Sequence, residues 1–139
     1  MKRISSIFTF TVSLLVFIMG LAGCGLQKTG TEKIRDLDYT VVAEREIPEE
    51  LQNEIAQRYT EDFKMTYMLD DSLYIVRGYG MQETGGYSIQ VENLYLAENA
   101  IYFEADLIGP DGTTEVEKAV SYPYIVVKTE RLEENIVFE

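Results

Sequence analysis

From Ile101 to Leu107 the chain alternates without a slip. Ile101, Phe103, Ala105 and Leu107 are apolar, and Tyr102, Glu104 and Asp106 fall on the opposite face. A repeat of two cannot form the apolar stripe of a helix and predicts a half-buried strand. The same period recurs along most of the chain. Phe63, Met65 and Tyr67 alternate with Lys64, Thr66 and Met68 before Asp70-Asp71-Ser72 supplies a turn. Leu73–Tyr79 (LYIVRGY) is apolar on both faces up to Arg77, the pattern of a central strand. Tyr87, Ile89 and Val91 alternate with Ser88, Gln90 and Glu92, and the parity then shifts to Leu94 and Leu96. That shift predicts a β-bulge near Glu92-Asn93. Glu98-Asn99 reads as a tight turn and Gly109-Pro110-Asp111-Gly112 as a loop. Tyr39–Ala43 and Tyr124–Lys128 add strands, and Ile136-Val137-Phe138 a short terminal one.

One stretch departs from this period. Between Pro48 and Arg58, Leu51, Ile55 and Tyr59 recur four apart and Ala56 broadens their stripe. Proline suits the first helical turn, where its missing N–H would be unpaired anyway. Glu49 and Glu50 lie at the positive end of the helix dipole and Arg58 at the negative end. Many short strands with one helix predict a small, mainly antiparallel β-sandwich or barrel-like domain of the α+β class.

The division of the chain follows from composition. Residues 25–36 (GLQKTGTEKIRD) are polar, glycine-containing and without apolar periodicity, and read as a flexible tether. Residues 37–139 remain for one domain of about 100 residues, enough for a core without disulfides. Ahead of the tether, Lys2 and Arg3 precede an apolar run from Ile7 to Leu21, shorter than the ~20 residues that span a bilayer. This is the layout of a secretory signal over residues 1–23. Leu21-Ala22-Gly23-Cys24 resembles the lipobox of bacterial lipoproteins. That resemblance implies diacylglycerol on the Cys24 thiol, removal of the signal with Cys24 as the new N-terminus, and palmitate as the acyl chain. Two acyl chains give stable anchoring where one holds marginally. The expected location is the extracytoplasmic face of the cell membrane, in the cell envelope.

Charge and missing residue types narrow the chemistry. Removing residues 1–23 takes away two cations and no acid, so the net charge falls from −12 to −14. Such a surface repels nucleic acid and anionic headgroups, leaving the lipid anchor as the only membrane contact. Histidine is absent and Cys24 is the single cysteine. These absences remove histidine-based catalytic triads, histidine acid–base catalysis and the common zinc sites. Asp70-Asp71 and Asp106…Asp111 lack the alternating ligands and closing Glu of a calcium loop. No catalytic residue, cofactor or metal ligand is assigned, and the chain reads as a non-enzyme.

Two segments carry the candidate contacts. Thr84-Gly85-Gly86-Tyr87 pairs glycines that permit positive φ and close approach of the backbone. It predicts a reshaped hairpin loop with exposed amides. In Tyr122-Pro123-Tyr124 the proline cannot join a ladder, so it should open an edge strand or sit at a bulge. Its flanking tyrosines are of the residue type enriched at interface hot spots. The plainer reading of Thr84–Tyr87 is a turn needing unusual backbone angles. That of Tyr122–Tyr124 is a proline-stiffened strand entry with its tyrosines packed flat on the domain.

The run GYGMQETGGYSIQVENLYL, the strand IYFEADLIGP and the closing SYPYIVVK resemble the C-terminal domain family of the protease complex subunit PrcB. Thr84–Tyr87 and Tyr122–Tyr124 match its two motifs, and the resemblance runs from about Leu73 to Lys128. It implies a non-catalytic partner of a secreted protease, acting in assembly or maturation. The expected function is therefore a membrane-anchored extracytoplasmic protein-binding module that assists such a protease. The alternatives are a protease inhibitor using glycine-containing loops, and a small-molecule binder or carboxylate enzyme with a sizeable pocket.

Overall fold

A computed structural model describes residues 32–113 and 115–139; the signal segment and Cys24 lie outside the described residues. Eight strands are present: β1 (Lys33–Asp36), β2 (Tyr39–Val41), β3 (Asp62–Leu69), β4 (Ser72–Tyr79), β5 (Ser88–Ala97), β6 (Ile101–Ile108), β7 (Tyr124–Glu130) and β8 (Ile136–Phe138). A 3-10 turn at Glu44–Glu46 leads into helix α1 (Glu49–Ala56), which Pro48 caps. The strands form two four-stranded sheets, in the orders β1-β5-β6-β8 and β2-β7-β4-β3.

The alternations seen in sequence sort side chains between two cores. In β4, Leu73 and Ile75 face the other sheet, and they meet Ile125 and Val127 of β7, Leu94 of β5, and Ile101 and Phe103 of β6. The intervening Tyr74 and Val76 point to the opposite side, where Leu51 and Ile55 of α1 pack with Ile47, Phe63 and Val126. The β2–β3 sheet is thus covered on both faces, by a sheet on one and a helix on the other. Leu51 and Ile55 are buried, each contributing about 1.5–3 kcal/mol. This explains why β4 is apolar throughout: it is the strand between β7 and β3 whose two faces both lie in a core.

The expected bulge is present, as a register shift between Val91 and Asn93 in the β5–β6 ladder. The turn after β5 closes with Ala97 N–H donating to the Ala100 carbonyl at 2.8 Å. Asp70, at φ 52°, turns β3 into β4, and the Arg131 guanidinium donates to its carbonyl.

One element differs from the sequence reading. The end of the stretch read as tether is β1, paired with β5 through Lys33–Ala97 and Asp36–Tyr95. All four of its residues are exposed, so it leaves no apolar period to detect; its main-chain ladder to β5 and the Arg35–Glu130 ion pair hold it. Leu37 just beyond it is buried and its N–H donates to the Leu94 carbonyl, which fixes the strand's exit. Of the two architectures expected, sandwich or barrel-like, the fold has two open sheets that do not close into a barrel. The last strand, β8, pairs with β6 in parallel, an exception to the antiparallel pattern. Phe138 of β8 packs edge-on against Phe103, with ring centroids 5.8 Å apart.

Candidate interaction site

The Thr84–Tyr87 segment links β4 in one sheet to β5 in the other, so it is a crossover between sheets and not a hairpin within one. Its backbone is engaged. The Gly85 N–H donates to the Glu117 carbonyl at 2.9 Å, and the Ser121 hydroxyl donates to the Thr84 carbonyl at 2.6 Å. Gln82 and Ser121 exchange backbone bonds of 2.8 and 3.0 Å. The expectation of exposed amides at this loop is therefore corrected at Gly85. Gly86 adopts φ +85°, and a Cβ there would stand 2.6 Å from Val116 Cγ1. That close approach requires glycine and holds the segment against residues 116–121. The Tyr87 ring is partly buried beside Gly109.

The Tyr122–Tyr124 segment leads directly into β7. Pro123 lies one residue before the strand, where its carbonyl accepts from the Tyr79 N–H at 3.1 Å and no N–H is required of it. Sequence reasoning placed this proline at the start of an edge strand or at a bulge. β7 is instead interior, between β2 and β4, but β2 reaches only Val127 in its ladder. One further bond, from Val42 N–H to the Val126 carbonyl at 2.8 Å, ends the contact before the chain turns into the 3-10 helix. The entry to β7 is thus locally an edge, and that is what admits the proline.

Where β2 departs, a groove opens between this entry and α1. Ile47, Ile55, Ala56, Tyr59, Tyr122 and Tyr124 line its larger part, of about 470 Å³. A second part of about 320 Å³ continues past Val42 and Pro123, sharing Glu44, Ile47, Tyr122 and Tyr124 with the first. Tyr59 and Tyr122 meet edge to face across one end, with ring centroids 5.2 Å apart. The Tyr124 phenol is pushed above its ordinary pKa, chiefly by burial and further by the Glu44 carboxylate. Burial also raises Tyr79, whose hydroxyl donates to the Ala105 carbonyl of the facing sheet at 3.1 Å.

The two motifs are therefore joined, since Ser121 bonds Thr84 and precedes Tyr122. Only the second lines the groove. In sequence, Leu51, Ile55 and Tyr59 read as one stripe packed on the sheet, with a partner-binding helix as the alternative, and the groove wall was not located. The stripe's last member is the clue: Tyr59 stands beyond the helix end and is 39% exposed. Ala56, the small residue that broadens the stripe, leaves room between α1 and β7.

The described residues form an open two-sheet α+β domain with an aromatic groove at the entry to β7. Residues 73–130 match the family described as PrcB C-terminal, and this span is similar to that family's domain. Both motifs fall inside the match, whereas α1 and the other groove wall precede it. No curated protein and no solved structure matches the chain.

Proposed function

We propose that this protein is a lipid-anchored, extracytoplasmic protein-interaction module that assists a secreted protease without catalysing a reaction itself. The match of residues 73–130 to the PrcB C-terminal family supports an association with a protease complex. The observation that carries the contact reading is the Tyr59–Tyr122 pair at the mouth of an open groove. Tyrosine offers a large, rigid surface with few torsions to fix, which suits recognition. The absence of histidine and the run ending in Cys24 support a tethered binder over an enzyme.

Crosslinking in intact cells followed by mass spectrometry tests this reading. A secreted protease or its partner subunit should be recovered, and recovery of no protein partner would count against it. Fractionation of a Cys24→Ala variant tests the anchor. Loss of fatty-acid labelling and release from membranes are expected, and retention of both would remove the anchor assignment.

Inhibition by loop insertion has less support, because Gly85 and Thr84 are bonded to residues 117 and 121. A panel of cysteine and serine proteases decides it, since full activity throughout leaves the assisting role.

A further inference from the structure

We propose that the entry to β7 is an unfilled strand position that takes an extended, lysine- or arginine-bearing peptide segment of the partner protein. The inference rests on the interaction-module reading and names the chemistry its partner presents.

The backbone pattern carries it. Tyr79 N–H bonds the Pro123 carbonyl, and Gly78 pairs with Tyr124 in the β4–β7 ladder. In an antiparallel ladder, bonded and non-bonded pairs alternate. Position 123 is bonded to β4, so Tyr124 is not, and its N–H and C=O point to the side away from β4. That is the side β2 has left after Val42. Among the described residues, no backbone hydrogen bond from this side reaches Tyr124. A strand laid along the gap would meet a donor and an acceptor on one residue, the arrangement used when a peptide extends a sheet edge.

The walls select the side chains. Ile47, Ile55 and Tyr59 give the groove beside the gap an apolar wall, and its volume of about 470 Å³ admits a large apolar side chain. Glu44 is the one ionised side chain among the described residues that line either part of the groove. No Lys or Arg is among the residues lining these two parts, Arg45 lining the neighbouring cavity with Glu44, and the whole chain carries −12. A lysine or arginine next to the apolar side chain complements that carboxylate, whereas an acidic segment is repelled by it.

A displayed library of random short peptides, selected on the full-length chain in detergent, tests the proposal. Enriched sequences should pair a large apolar residue with Lys or Arg, and binding should slow hydrogen exchange at the Tyr124 amide. Tyr124→Ala removes the ring and keeps the N–H. Tyr124→Pro also removes an N–H that β4 does not use, and should bind on the order of tenfold more weakly than Tyr124→Ala. The proposal is overturned by a lack of enrichment, by acidic winners, by equal binding of the two variants, or by peptides that leave the Tyr124 amide unprotected. Protection of that amide without peptide as concentration rises would overturn it too, assigning the gap to a second copy of the chain. The exchange measurement on the unaltered protein decides the matter even if the proline variant fails to fold. If crosslinking recovers a partner while selection fails, the groove assignment falls and the interaction reading stands. If selection succeeds and crosslinking recovers nothing, the reverse holds.

Discussion

Gly78 and Phe63 sit directly opposite each other in the β3–β4 ladder, and the Phe63 ring occupies the space a Gly78 side chain would need. An ideal Cβ on Gly78 would fall 2.1 Å from the ring. Phe63 is buried under α1, so the ring cannot swing aside without opening the helix-side core. Gly78→Ala should therefore destabilise the domain by about 1–3 kcal/mol, read from denaturant midpoints at unchanged slope. Phe63→Leu should cost stability alone yet relieve part of the Gly78→Ala penalty, giving a clearly non-additive double-mutant cycle. Additive losses would show that the ring is not what excludes the side chain.

The two central glycines of Thr84–Tyr87 should respond differently. At Gly86, positive φ and Val116 at 2.6 Å both oppose a side chain, whereas a Cβ on Gly85 would meet its nearest neighbour at 3.5 Å. We expect Gly86→Ala to cost about 1–3 kcal/mol and to speed amide exchange at Gly85. Gly85→Ala should remain within about 0.5 kcal/mol of the parent. Equal losses at both positions would contradict the assigned backbone geometry.

Tyr122→Ala separates binding from folding. Its ring contacts Tyr59 edge to face at the groove mouth, a pairing worth about 0.5–1.5 kcal/mol beyond area burial. Thermal unfolding should shift by a few degrees, while crosslinked partner recovery should fall to background. Tyr87→Ala, whose ring lies beside Gly109 away from the groove, should leave recovery largely intact. A loss confined to Tyr87→Ala would move the contact surface to the crossover loop.

Acid should loosen one link between the sheets. Arg35 of β1 donates to Glu130 of β7 at 2.7 Å, and this bond holds the Glu130 carboxyl below its ordinary range. A depressed carboxylate contributes stability above its unfolded pKa, and that contribution is lost as pH falls through the folded one. Glu130→Gln should accordingly be less stable than the parent at neutral pH, with the gap closing on acidification below the usual glutamate range. Denaturant titrations at several pH values check this; a gap that widens in acid would reverse the sign.

How much of this was legible beforehand depended on where each residue's partner lies. The strands with one wet face announced themselves through alternation, and the bulge through its parity change. The apolar β4 showed its double burial because both of its faces lie in a core. β1 was invisible because its four side chains are exposed and show no apolar period. Its ladder to β5 is main chain, and its Arg35–Glu130 ion pair joins residues 95 apart in the chain. The crossover at Thr84–Tyr87 read as a hairpin because sequence proximity of β4 and β5 does not reveal that they join different sheets. The YPY segment was found as a motif, but its groove was not. That groove depends on where β2 stops and on Tyr59 passing the end of α1, both set by tertiary packing. The glycine requirement at Gly86 was foreseen in kind, while its cause, Val116, lies thirty positions away in the chain.

The double covering of β4 has a kinetic corollary. A strand sandwiched between two cores can expose its amides only when one of the flanking layers detaches, so β4 and its partner β7 should belong to the slowest-opening unit of the fold. The open entry to β7 lies at the very end of that unit. A visiting strand could thus come and go on a fast clock, leaving the slow-exchanging spine beneath it undisturbed.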